Sequence, residues 1–162
     1  MSTFEGQPGW DTSQDHAPLT SSKDRFYDGA AAGATALIVE DDYRNMFALS
    51  AVLQRGKMVV VTAESGSRAL HMLERETDIG IVLMDIMMPG MDGYQAIAAI
   101  RQRPQCAGLP IIAVTGKAAA GERERCIAAG ASDFIAKPVD TSALLTAISR
   151  WLLQATTHLP AS

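Results

Sequence analysis

Four apolar runs in this 162-residue chain lead into side chains able to do chemistry. Ala36–Val39 is followed by Glu40-Asp41-Asp42, Ile79–Met84 by Asp85, Pro110–Val114 by Thr115, and the run ending at Ala136 by Lys137-Pro138. Together these offer several carboxylates, a hydroxyl and an ammonium. Carboxylates sharing one partly buried crevice repel strongly. They persist at neutral pH only with raised pKa values or a bound cation. All-oxygen donors suit a hard divalent ion, and Mg²⁺ keeping several of its waters is the expected guest. With Mg²⁺ and Lys137 in place, the crevice can also hold a dianionic phosphoryl group, one oxygen of which takes a hydrogen bond from Thr115. An Asp carboxylate is a competent nucleophile towards phosphorus and gives an acyl phosphate.

Each residue has a plainer reading. An acidic doublet after a strand is commonly a solvated loop, and Asp42 also suits the cap of the next helix. A Thr at a strand end commonly reflects β-propensity, and Lys-Pro is commonly a turn. The order is what separates them from these readings, since all stand at successive strand ends.

The strands are inferred from texture. From Thr35 onward, apolar runs alternate with amphipathic stretches: Ala36–Val39, helix Tyr43–Arg55, Met58–Thr62, helix Ser67–Arg75, Ile79–Met84, helix Gly93–Arg103, Pro110–Val114, helix Glu122–Ala129, Asp133–Ala136 and helix Thr141–Leu153. Continuous apolar strands between helices predict a parallel sheet covered on both faces. Right-handed crossovers close it as an α/β (βα)5 doubly wound, five-stranded flavodoxin-like sandwich, whose ligands sit outside the carboxyl ends of the strands.

Composition narrows the function classes. Hydrophobic residues make up 48% of the chain, enough for a core, and the net charge of −4 comes without a Lys/Arg stripe, which argues against nucleic-acid binding. The two cysteines, Cys106 and Cys126, stand apart from any CxxC or Cys/His cluster, so neither a zinc site nor a disulfide framework is expected. The chain shows neither a run of ~18 apolar residues nor a signal peptide, so a cytoplasmic protein off the membrane is expected. Residues 1–34 are rich in small and polar types and read as a disordered extension, with Phe26 and Tyr27 as a possible docking peptide. Residues 35–154 form the expected domain and 155–162 a short tail.

Ala36-Leu-Ile-Val-Glu-Asp-Asp42, Val82-Leu-Met-Asp-Ile-Met-Met-Pro-Gly-Met-Asp-Gly93, Ile111-Ile-Ala-Val-Thr-Gly116 and Gly130-Ala-Ser-Asp-Phe-Ile-Ala-Lys-Pro138 resemble the four motif blocks of response-regulator receiver domains, over residues 35–154. The resemblance implies that Asp85 is phosphorylated by a histidine kinase or a histidine phosphotransfer protein. It implies Mg²⁺ held by Asp41, by Asp85, by the Met87 backbone carbonyl and, through water, by Glu40. Thr115 matches the switch hydroxyl, Lys137 the invariant lysine and Phe134 the aromatic switch position. Pro138 implies a cis Lys137–Pro138 bond. Met87 and Lys117 stand where the family tunes autodephosphorylation, and a large apolar group beside a long cation suggests a long-lived phosphoryl state. The implied output face comprises the fourth helix, fifth strand and fifth helix, and serves a downstream protein or phosphorylation-dependent dimerisation. Arg123, Arg125 and Trp151–Leu153 are expected near it, although Trp151 also reads as core packing.

The resemblance makes the protein a phosphoacceptor rather than an enzyme. A single-domain regulator is favoured by the starting Met and the native-looking tail, and the alternative is the receiver portion of a hybrid histidine kinase. A Mg²⁺-dependent aspartyl-phosphate phosphohydrolase needs a DxD motif after its first strand, whereas here the nucleophile follows the third strand as Asp85-Ile-Met. A flavin-binding protein would set its cofactor phosphate against the acids. A degenerate, binding-only receiver does not account for the intact acids, Thr115 and Lys137.

Overall fold

The computed structural model describes residues 31–116 and 119–157 of the chain. Its strands are β1 (Thr35–Val39), β2 (Val59–Ala63), β3 (Ile79–Asp85), β4 (Ile111–Thr115) and β5 (Asp133–Ala136). They alternate with α1 (Tyr43–Arg55), α2 (Gly66–Arg75), α3 (Gly93–Arg101), α4 (Glu122–Ala129) and α5 (Thr141–Thr157). All pairings are parallel, in the order β2-β1-β3-β4-β5. The predicted doubly wound (βα)5 sandwich is therefore the fold observed.

Alternation along the central strands builds two cores. Leu37, Val39, Val82, Met84, Ile111 and Ala113 face α2, α3 and α4. Ala36, Ile38, Ile81, Leu83, Ile112 and Val114 face α1 and α5. With both faces covered, β1 and β4 are buried throughout, whereas the edge strand β2 is half open and leaves Val59 52% exposed.

Several bounds differ from those expected, and the larger differences have local reasons. Lys57 adopts φ 63 and Met58 is buried as the chain turns, so β2 starts at Val59. Pro104 holds Arg103 extended, so α3 stops at Arg101 and Pro104–Cys106 forms a 3-10 turn. α5 continues through Thr157, because no Gly or Pro follows Leu153 until Pro160, so residues 155–157 are helix rather than tail. Residues 31–34, expected in the N-terminal extension, pack on the domain: Ala31 is buried and the Gly33 N–H donates to the Lys57 carbonyl at 2.9 Å. Phe26 and Tyr27 lie outside the described residues.

The chain leaves β1 in one direction towards β2 and later crosses to β3 on the other side of β1. The carboxyl ends of β1 and β3 therefore flank the topological switch point, where the loops diverge and leave a crevice. Register sets what lines it. Val39 pairs with Met84, Asp85 with Val114 and Thr115 with Ala136, so Glu40, Asp85, Thr115 and Lys137 cluster at one end of neighbouring strands.

Candidate functional site

Local signals place each group. Asp42 is the N-cap of α1, its Oδ1 accepting from the Arg44 N–H at 2.8 Å, which makes the chain turn just after Glu40 and Asp41. Beyond Asp85, the Asp92–Gln95 capping box starts α3 at Gly93. Gly93 lies against the strand that ends in Asp85. A Cβ there would stand 2.5 Å from both the Asp85 carbonyl oxygen and the Ile86 Cα, and the Gly93 N–H donates to the Ile86 carbonyl at 3.0 Å. Only a residue without a side chain allows this approach. The sequence reading carried Gly93 as part of a motif without seeing this contact.

Carboxylate oxygens of Glu40, Asp41 and Asp85 come within 4.8 Å of one another. Glu40 and Asp85 are buried and Asp41 is exposed, so the cluster opens to solvent on the Asp41 side. The Lys137 ammonium bridges the two buried acids, 3.3 Å from Glu40 Oε2 and 3.4 Å from Asp85 Oδ1. The peptide bond linking Lys137 to Pro138 is cis. Backbone donors complete the shell: the Met87 N–H reaches Asp85 Oδ1 and the Asp42 N–H reaches Glu40 Oε1, each at 3.1 Å. Thr115 is fully buried at the end of β4.

Three carboxylates, all ionised, against one ammonium would leave two negative charges in excess, the complement of a divalent cation. The strain of that excess shows on Glu40. Burial, with the charge of Asp85 added, pushes its pKa up to about 7 despite the Asp42 N–H and Lys137. For Lys137, burial pulls the pKa down, but the charges of Asp85 and Glu40 outweigh it and the net direction is upward. The donor set, all oxygen and partly open to water, fits Mg²⁺.

The remaining predicted residues divide. Met87 is 54% exposed beside Asp85. Phe134 is half-buried against the α2–α4 core. Lys117 lies outside the described residues. Trp151 packs, donating its indole N–H to Asp133 Oδ2 at 2.9 Å, while Leu152 is buried and Leu153 is 45% exposed. Arg125 lies over the Tyr94 ring, 4.5 Å from its centroid. A buried acid, Glu122, went unrecognised in the sequence because a helix starting Glu-Arg-Glu-Arg looks like a solvated face.

Among the described residues no helix is long and apolar enough to cross a membrane. Comparison with known proteins agrees with the fold and the cluster. The model of the response regulator receiver domain matches residues 36–149. Protein PilH of Pseudomonas aeruginosa is 35% identical over 116 residues, which cover 72% of this chain and 95% of PilH. The signal transduction histidine-protein kinase BarA of Escherichia coli (strain K12) is 34% identical over 124 residues, 76% of this chain but 13% of the kinase. The receiver domain of the sensor histidine kinase PA1611 from Pseudomonas aeruginosa PAO1, solved with a magnesium ion coordinated in its active site cleft, superposes with a TM-score of 0.69 at 36% identity, covering 75% of this chain and 98% of that one. With its motif blocks at the strand ends, its sheet order and these relatives, the chain belongs to the response regulator receiver domain family of two-component signalling.

Proposed function

We propose that Asp85 accepts a phosphoryl group from a phosphohistidine on a histidine kinase or histidine phosphotransfer protein, with Mg²⁺ bound by Asp41, Asp85, the Met87 carbonyl and, through water, Glu40. The observation that carries this reading is the buried Asp85 carboxylate, tethered to Lys137 within a cluster of three acids. An Asp85 oxygen attacks phosphorus, the bond to the donor imidazole nitrogen breaks, and the imidazole leaves with that electron pair. Lys137 stays beside the charge carried onto the phosphoryl oxygens, and the Met87 N–H holds the carboxylate in place. The metal supplies charge neutralisation.

Thr115 then donates to a phosphoryl oxygen and Phe134 turns inward, which biases the α4–β5–α5 face towards a downstream protein or a second copy. Tyr43 and Phe47, both 77% exposed on α1 just past Asp42, offer the donor protein an apolar contact beside the acidic mouth. The domain acts on its own phosphoryl group rather than turning over a substrate, and its proposed setting is the cytoplasm. It works either as a single-domain regulator, as its coverage of PilH suggests, or as the receiver of a hybrid kinase, as its match to BarA suggests. Met87, 54% exposed two residues past Asp85, would with Lys117 hinder an attacking water and so favour a long-lived phosphoryl state.

Incubation with acetyl phosphate and Mg²⁺, read by intact mass, should add one phosphoryl group, and Asp85→Asn should abolish the gain. No gain with any donor, a purified phosphohistidine protein included, defeats the reading. Met87→Asn should shorten the phosphoryl lifetime, and an unchanged decay would remove Met87 from that role.

A further inference from the structure

α4 is held down unlike its neighbours. Its inward-facing residues are an acid and a cysteine, Glu122 at 3% exposure and Cys126 at 0%. No side chain caps its N-terminus, where Gly121 stands at φ 87. Cys126 and a half-buried Ala129 provide little apolar area to fix its position. The Tyr94 hydroxyl donates to Glu122 Oε1, and the Arg125 guanidinium sits over the Tyr94 ring at 4.5 Å. A hydrogen bond to a buried carboxylate is among the stronger kinds, and its loss leaves the acid unsatisfied.

The two partners are rooted at the two ends of the proposed switch. Tyr94 directly follows Gly93, the residue that packs on the Asp85 and Ile86 backbone. Glu122 opens the helix that follows Thr115 and the β4–α4 loop. The bond thus ties the loop leaving the phosphoacceptor to the loop leaving the switch hydroxyl. Phe134 is half-buried against the same cluster, which also holds Cys126.

We propose that Tyr94 and Glu122 form a latch, oriented by Arg125, that holds α4 in its unphosphorylated arrangement and so sets how readily Asp85 is phosphorylated. The proposal rests on the phosphoacceptor reading of Asp85. If the released position of α4 is the arrangement that reacts, release by other means raises the fraction of protein in that arrangement and so the rate at which Asp85 is phosphorylated. The elements that move in switching come from the weakly held parts of a fold, and α4 is such a part. Tyr94 and Glu122 are positioning residues, acting on Asp85 through α3 and on Thr115 through α4.

Tyr94→Phe keeps the ring under Arg125 and removes only the donor. Hydrogen exchange of the unphosphorylated protein should show α4 exchanging about tenfold faster, with β1 and β3 unchanged, as expected for one lost bond to a buried acid. The initial rate of phosphoryl gain from acetyl phosphate and Mg²⁺ should rise about fivefold, in proportion to the larger competent fraction. Glu122→Gln keeps an acceptor oxygen but loses the charge, so in both readouts it should fall between wild type and Tyr94→Phe. Unchanged α4 exchange in Tyr94→Phe overturns the latch, as does faster exchange spread evenly over all strands. Faster α4 exchange with an unchanged phosphorylation rate overturns its regulatory role. Should Tyr94→Phe fail to fold, Glu122→Ala removes the bond from the other end with the same expectations, and a second unfolded variant shows the pair to be structural and overturns the proposal. If the wild type gains no phosphoryl group, the reading of Asp85 has failed, while the exchange measurement still decides the latch.

Discussion

α1 buries Met46, Leu49 and Leu53 against the sheet and is capped by the Asp42 carboxylate, whereas α4 buries Glu122 and Cys126 and begins at an uncapping glycine. Burial of a large aliphatic side chain contributes about 2 kcal/mol, so α1 has three such anchors where α4 has a thiol and a hydrogen-bonded acid. The acids Glu40 and Asp41 come just ahead of the well-anchored helix, and the hydroxyl Thr115 comes ahead of the weakly anchored one. A site that binds metal and phosphoryl needs groups held in place before the ligand arrives. A readout element needs a second position within a few kcal/mol of the first. On the proposed function, the two helices would meet these opposite requirements on one sheet.

Leu53→Ala and Cys126→Ala test the contrast most directly. Leu53 is fully buried under α1, so its truncation should cost about 3 kcal/mol in denaturant unfolding. Cys126→Ala, in an equally buried place on α4, should cost about 1 kcal/mol. Equal losses would break the distinction.

Next comes the acidic end of the rigid half. The pKa of Glu40 is raised from 4.5 to about 7 in the fold, mainly by burial and then by Asp85. Between those pH values the native state holds a proton that the unfolded chain has released, so stability should fall as pH rises through that window. In chelator, denaturation curves from pH 4 to 8 should show this fall. Glu40→Gln should flatten it, and saturating Mg²⁺ should offset it most at the upper end. A stability that instead rose through the window in wild type alone, relative to Glu40→Gln, would contradict the assignment.

Gly93→Ala should cost about 2 kcal/mol by overpacking, because the added methyl meets Asp85 and Ile86 backbone atoms that cannot swing aside. A neutral result in thermal melting would mean that the β3–α3 loop yields more than its packing suggests. The smallest effect is expected at the α1 cap, where Asp42→Ala should lower stability by about 1 kcal/mol. Addition of a cap at α4, Gly121→Asn, tolerated at positive φ better than most residues, should change stability by less than that.

Much of the fold was legible because the signals were local and redundant. Val82–Met84 has no polar residue to spare for solvent, and Asp92 with Gln95 writes a helix start directly into the chain. The displaced boundaries have two causes: Pro104 stopped α3 early, and α5 ran on where no Gly or Pro broke it. Of the site, Glu40, Asp41, Asp85, Thr115 and Lys137 were legible from their places after apolar runs. Glu122 was not, since its burial depends on a tyrosine 28 residues away in the chain.

The linear chain already carried the alternation of strands and helices, which residues end the strands, and hence which side chains line the crevice. These follow from periodicity and residue type, which local steric and solvation preferences translate into structure. Only tertiary packing brought Lys137, after β5, to both Glu40 and Asp85, set Gly93 against the Asp85 backbone, and bonded Tyr94 to Glu122 of α4. Each of these depends on distances between segments remote in the chain, and such distances exist only once the sheet has closed and both cores have packed.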